Sequence, residues 1–334
     1  MSLFRFMVWA LLTGLWAPSL LAQPTHALTV YGEAPKYPAN FKHLDYVNPN
    51  APKGGSFRRS SMEGGAFDHL IPYVDKGTGI TQIQGWLYSP LAYRSQDEPY
   101  TVYGLVAQGM ELADDHSWLR FYLNPKARFA DGTPITAQDV AYTFKLFTTE
   151  GSLAYRQSFA DVDQVLVESP TQVRFTFKSA DNRTLPLDLA SLPVLPEHWW
   201  QGRNFANGGG FEPPVGSGPY RISSVDNGRS VTFERVKDWW GRDLPVTQGQ
   251  YNFDTLRLEF LPTATCRARS CKPRVTTSIA NFPPPVIRWA TTARLCATVV
   301  CNVNNWHRMP CRAPRVLCST CKNRSSRTAA CARR

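Results

Sequence analysis

The sequence predicts an α+β fold with a mixed sheet, and three observations carry that prediction. Short segments alternate apolar and polar residues, as half-buried strands do: Trp118–Leu123, Val173–Phe177, Val231–Arg235 and the run Leu256, Leu258, Phe260. A helix with clear start and stop signals interrupts them over residues 136–151. Proline and glycine pairs separate the segments, with no repeat and no low-complexity block. At 334 residues, 43% hydrophobic and 12% aromatic, the chain can bury a sizeable core, in two domains or in one with an annex.

Taken in order, the first segment reads as a leader. Arg5 supplies a positive start, and residues 6–21 are mostly apolar but broken by Thr13, Gly14 and Pro18. Small-residue exits follow at Ala22 and at Thr25-His26-Ala27. The run is too short and too interrupted for a membrane span, so residues 1–27 are expected to be a cleavable signal peptide. No cysteine lies there to accept a lipid anchor. Residues 37–55 hold three prolines and end in Gly54-Gly55, which makes an extended lead-in, and Phe57 starts a segment running into Glu63–Asp68.

Asn124-Pro125 ends the Trp118–Leu123 strand, and Asp131-Gly132 marks a turn. Thr136 is placed to cap a helix, with Asp139 three residues on, at the positive end of its dipole. Val140, Phe144 and Phe147 then form one apolar stripe, and Gly151 stops the helix. Val165 and Val167 lead through Ser169-Pro170 to Val173, Phe175 and Phe177, an antiparallel hairpin. Gly216–Arg221 is a turn feeding a strand, whose partner is Val231–Arg235.

The formal charge of +11 is unevenly placed. Residues 1–261 hold 23 Lys and Arg against all 26 Asp and Glu, whereas residues 262–334 hold 14 Lys and Arg and no acid. The body is therefore mildly acidic, and nothing in it points to nucleic acid. No nucleophile–base arrangement is readable either. The six histidines have no ligand spacing, and Ser217 sits in Gly-Ser-Gly without a hydrolase elbow. Asp131 and Asp139 could be paired on paper, but a turn and a helix cap account for both. No enzyme, metal or cofactor is expected. Trp86, Tyr88, Tyr93, Trp199, Trp200, Trp239 and Trp240 are each core candidates, and as a group they suit a cleft for an amphipathic ligand.

Longer motifs narrow the reading. Phe129-Ala-Asp-Gly-Thr-Pro-Ile-Thr-Ala-Gln-Asp-Val-Ala-Tyr-Thr-Phe144 resembles the signature of family 5 extracellular solute-binding proteins, the oligopeptide and dipeptide receptors of ABC importers. His43-Leu-Asp-Tyr-Val-Asn-Pro-Asn-Ala-Pro-Lys-Gly-Gly55, Ser217–Arg221, Glu234-Arg-Val-Lys-Asp-Trp-Trp240 and Tyr251-Asn-Phe-Asp-Thr-Leu-Arg257 resemble its YejA-type branch. The resemblance runs through residues 28–260. It implies part of a periplasmic-binding-protein lobe (type II, cluster C-like) with a mixed sheet and a smaller inserted domain. It further implies a monomeric periplasmic receptor that hands oligopeptides, microcin C-type cargo among them, to an inner-membrane permease and its ATPase. Ser61, Glu63, Phe67 and Asp68 are carried over as cleft lining, Glu63 to pair with a ligand amine and Phe67 to pack on the ligand.

All eight cysteines lie between Cys266 and Cys331, inside the acid-free tail. A zinc module could use Cys318-Ser-Thr-Cys321 with His307 and Cys311, and a secreted annex could use disulfides, but the spacings are irregular. The expectation adopted is a reading-frame shift near residue 261, with residues 28–261 as the evolved part and 262–334 as an irregular tail. Back-translation agrees with it: Val275–Phe282, read from the third base of each codon, permits a Tyr-Asp-Phe-like stretch. A family-like continuation in another frame of the gene is what such a shift requires. Binding by the chain alone is then expected to be impaired. The reading from another class is an exported interaction protein whose basic tail holds an anionic partner, and salt-sensitive binding lost with that tail would mark it.

Overall fold

A computed structural model of the protein describes residues 24–61 and 65–260. The expected leader (apart from residues 24–27), Glu63 and the tail after Phe260 lie outside the described residues. Among the described residues, no helix is long and apolar enough to cross a membrane.

Strands β5 (Ala107–Leu112), β6 (Trp118–Leu123), β7 (Val162–Ser169) and β8 (Gln172–Phe177) form an antiparallel sheet in the order β5-β6-β8-β7. Alternation sets its buried face. Leu119 lies opposite Phe175 and Phe121 opposite Val173, all four fully buried. Helix α1 (Ala137–Thr149) covers that face. Its start is the expected capping box: the Thr136 hydroxyl accepts the Asp139 N–H at 3.4 Å, and the Asp139 carboxylate accepts the Thr136 N–H at 2.9 Å. Such a cap contributes about 1 kcal/mol. Val140 and Phe147 are fully buried, while Phe144 is half-buried against Phe159 and Phe175. Gly151 ends the helix for a steric reason, since a Cβ there would lie 2.4 Å from the Phe147 carbonyl oxygen. Short helices α2 (Leu153–Ser158), α3 (Leu185–Ala190) and α4 (Glu197–Trp200) follow. Asp139 also accepts the Glu197 N–H at 3.1 Å, so one carboxylate serves the starts of α1 and α4.

A three-stranded antiparallel sheet joins β1 (Ala27–Thr29), β3 (Ala92–Arg94) and β4 (Thr101–Gly104), in the order β1-β4-β3. Thr25, just before β1, exchanges both backbone hydrogen bonds with Met110, at 2.8 and 2.9 Å. Against this sheet the lead-in segment is pinned by ions and phenols. Asp97 accepts from Lys36 at 2.5 Å, from the Tyr37 hydroxyl at 2.6 Å and from the Ser95 hydroxyl. Burial opposes ionisation of Asp97, but these hydrogen bonds outweigh it and hold its carboxyl down to about 2. A carboxyl whose folded value lies below its unfolded value stabilises above the unfolded value and loses that contribution as pH falls through the folded one. We therefore expect thermal stability to drop between about pH 4 and pH 2, the ordinary carboxylate value and that of Asp97. Asp97→Asn should melt lower at pH 7 and show a shallower acid slope. An unchanged slope in melts run across that range would refute the assignment.

The mixed sheet consists of β2 (Ser56–Ser60), β9 (Tyr220–Asp226), β10 (Ser230–Arg235) and β11 (Thr255–Glu259), in the order β2-β11-β10-β9. Only β2 and β11 run parallel, and β9 and β10 form the predicted hairpin. The chain between β2 and β9 builds the four-stranded antiparallel sheet, two of the three strands of the other (β1 comes before β2) and the four described helices before it returns. This insertion shares one hydrophobic core with the mixed sheet, since Leu119, Phe121 and Phe175 belong to the same cluster as Val231, Phe233 and Leu258. The Gly216-Ser-Gly turn is the joint. The Ser217 hydroxyl accepts the Ser89 N–H at 2.9 Å, and its carbonyl accepts from the Ser89 hydroxyl (2.9 Å), Trp239 Nε1 (2.8 Å) and Trp240 Nε1 (3.0 Å). Ser217 is thus a buried turn serine.

The aromatic set, expected as a group to suit a ligand cleft, is instead mostly core. Tyr88 and Trp200 are buried, and Trp86 packs on Tyr220 and Phe233. Trp239 is buried beside Trp240 and Tyr251. Fully burying one such ring adds on the order of 2–3 kcal/mol, which outweighs what a half-wet cleft position would contribute.

Candidate ligand-binding edge

The segment expected to line a cleft leaves the mixed sheet at the end of β2. Ser61 is buried, and its N–H donates to the Glu259 carbonyl at 2.7 Å, which extends the parallel pairing one residue beyond the strand. Glu63 lies outside the described residues. Phe67 is 1% exposed, with its ring 4.6 Å from that of Phe260 and 5.7 Å from that of Phe211, so its side chain belongs to the core. Asp68 is exposed and clasps Thr78: its N–H donates to the Thr78 carbonyl at 2.9 Å, and its carboxylate accepts the Thr78 N–H at 3.0 Å. The structure therefore keeps Ser61 and Phe67 as supports and leaves Asp68 at the surface.

Beside this segment is an open groove of about 640 Å³, which the β9–β10 hairpin tip, Ala66 and the ends of β2 and β11 enclose. Its chemistry comes from residues the sequence reading did not single out. Register brings Arg58 of β2 directly opposite Arg257 of β11, two guanidinium groups on neighbouring strands. Glu259 makes this tolerable by pairing with Arg58 and, at 3.3 Å, with Arg257. Arg257 also donates to the Ser230 hydroxyl at 3.1 Å. Arg229, at the hairpin tip, is exposed in the same groove. Gly228 holds φ +72°, and its missing side chain lets the tip sit close to Ala66. Three arginines face two acids, Glu259 and Asp226, so the groove can hold a carboxylate or peptide carbonyls. The only sequence signal for it was Arg58-Arg59 before the predicted cleft segment.

The rest of the described surface offers no reaction centre. Asp131 accepts the Thr133 N–H at 2.9 Å and pairs with His198 at 2.7 Å, so it is a turn residue as expected. Among the described residues, no three His, Cys, Asp or Glu side chains are placed to hold a metal ion.

The arrangement is that of a periplasmic-binding-protein lobe. The oligopeptide-binding protein AppA of Bacillus subtilis, in complex with a nonapeptide, shares this fold: TM-score 0.54 and 21% identity over 66% of this chain and 43% of that one. The chain belongs to the bacterial extracellular solute-binding proteins of family 5, since the model of the family's middle portion matches residues 101–288, more than half of its 334 residues. That match runs past residue 261, where the sequence composition changes. Protein YejA of Escherichia coli is 41% identical over 236 residues, 71% of this chain and 38% of that protein. The peptidoglycan-binding protein YepA of Agrobacterium fabrum is 39% identical over 257 residues, 75% of this chain and 41% of that protein. The chain thus spans less than half the length of these relatives. The family is one of solute-binding proteins, not of enzymes.

Proposed function

We propose that the protein is the substrate-binding component of an ABC importer for oligopeptides, exported to the periplasm and delivering its ligand, as a monomer, to an inner-membrane permease and its ATPase. Its membership in family 5, whose fold it shares with a nonapeptide-bound receptor, carries this reading. In it, Ser61–Asp68 and the arginine groove form one side of the ligand surface. Ser61 and Phe67 hold the segment in place, Glu63 is the partner of a ligand amine, and Asp68 and Arg229 reach ligand termini or polar side chains. Specificity is broad, because peptide backbone and bridging water supply most contacts. Peptide–nucleotide conjugates of the microcin C type fall within this class of cargo.

The test is an isothermal titration of the purified chain with tri- to pentapeptides. A peptidoglycan stem peptide is included because the A. fabrum relative is named for peptidoglycan. We expect saturable but impaired binding, with Kd on the order of 0.1–1 mM. Micromolar binding would overturn the impairment, and no binding of any peptide by folded protein would overturn the peptide reading.

For export, the pairing of Thr25 with Met110 favours cleavage at the Ala22 exit, since cleavage after Ala27 would remove both bonds and cut into β1. N-terminal sequencing of periplasmic protein should then begin at Gln23. A start at Leu28 would refute this.

A further inference from the structure

A cavity of about 280 Å³ lies between the Gln84–Gly85 turn, the end of β3, and helices α2 and α3, away from the arginine groove. It is lined by one acid and one base, Asp188 on α3 and Arg94 on β3. The two sense each other's charge, yet among the described residues neither closes an ion pair nor has a side-chain hydrogen bond. Asp188 is half-buried, and burial raises its carboxyl above the ordinary range even against the Arg94 charge. Tyr88 also lines the cavity. It is fully buried, and its hydroxyl, beside the Trp200 N–H, makes no hydrogen bond of normal geometry. At the rim, Gln84 donates to the Tyr155 hydroxyl at 3.1 Å, which fixes its amide.

A half-buried carboxyl that closes no ion pair is costly, and the exposed guanidinium that lines the same cavity leaves a charge of each sign open to a ligand. We propose that this cavity is a second, small-ligand site for a zwitterionic free amino acid. The ligand ammonium pairs with Asp188 and its carboxylate with the Arg94 guanidinium. Size sets the class: at about 280 Å³ the cavity falls just below the usual 300–1,000 Å³ of ligand pockets, which admits one residue but not an oligopeptide. The assignment does not rest on the peptide reading, because it uses other residues and another face.

The experiment titrates the full chain with L-serine, L-glutamine and L-alanine, and with N-acetyl-L-serine and L-serinamide, which lack the ammonium charge and the carboxylate respectively. Serine, glutamine and alanine should each bind saturably in the roughly millimolar range or tighter. Each blocked derivative, and each of Asp188→Asn and Arg94→Gln, should weaken binding by at least about tenfold. Arg94 is exposed and Asp188 half-buried, and a melting curve for each variant verifies folding. Equal binding of blocked and free serine, no loss in Asp188→Asn, or no binding of any amino acid would each overturn the proposal. Failure of the peptide reading would appear separately, because Asp188→Asn and Arg94→Gln should leave peptide titrations unchanged.

Discussion

Gly218→Ala should lower the stability of the protein by about 3 kcal/mol or more. A Cβ at this position would lie 2.3 Å from the Trp86 carbonyl oxygen and 2.8 Å from the Leu87 carbonyl carbon, both main chain. No rotamer change relieves a clash with backbone, so either the turn lifts or the Trp86–Ser89 segment moves. Lifting it would break the four hydrogen bonds that Ser89, Trp239 and Trp240 make to Ser217. Loss of glycine freedom in the unfolded chain would return only about 0.4–1 kcal/mol, too little to change the sign. Gly216→Ala should behave alike, since its Cβ would lie 2.3 Å from the Leu87 carbonyl oxygen. Urea melts of the two variants beside Gly241→Ala make the comparison sharp, because the atoms nearest the added one at Gly241 belong to the Trp239 ring and not to main chain. The first two should lose more than the third. A loss under about 0.5 kcal/mol in Gly218→Ala would show that the joint is not close-packed.

Arg120→Met should cost about 3–5 kcal/mol. Arg120 sits mid-sheet between Glu111 on β5 and Arg174 on β8, its direct cross-strand partners. It donates to Glu111 at 2.9 Å and, through two nitrogens, to Glu168 at 2.7 and 3.2 Å. The Trp118 ring lies under both Arg120 and Arg174, at 4.9 and 5.9 Å. Most of these groups are partly wet, but the Glu111 side chain is only 2% exposed. Without Arg120 it keeps just the Tyr122 hydroxyl, at 2.6 Å, and an uncompensated charge in low dielectric. The variant therefore carries its own test. Its buried carboxyl would have a folded value above the unfolded one, so the penalty holds at neutral pH and lessens as pH falls toward that of an ordinary carboxyl. Melts at pH 7 and pH 5 should show Arg120→Met recovering relative to the parent. Adding Glu111→Gln should restore about half of the loss at pH 7. A double variant no more stable than Arg120→Met would mean that Arg120 acts through packing of its stem and not through Glu111.

What could be read before folding was local. The α1 cap needs Thr136 and Asp139 three residues apart, and the β7–β8 hairpin needs alternation around Ser169-Pro170, so a short window holds each signal. The candidate edge was half readable. Its Ser61–Asp68 segment stood out by resemblance, but the arginines did not, because Arg58 and Arg257 meet only through a parallel pairing of strands nearly two hundred residues apart. The aromatic group misled for the same reason. Spacing shows that a tryptophan will be buried against something, but not whether that something is a ligand or Phe233.

The sequence by itself determined the class of fold, its strongest elements, the mildly acidic body and the kinship with solute-binding proteins, all of which depend on composition or on neighbours along the chain. Only the tertiary structure decided that the inserted sheets share one core with the mixed sheet, that Gly216-Ser-Gly is a structural joint, and that Asp188 and Arg94 face one cavity unpaired. Those features join residues far apart in the chain, and their energies come from close approach and desolvation, which have no value until the chain has closed on itself.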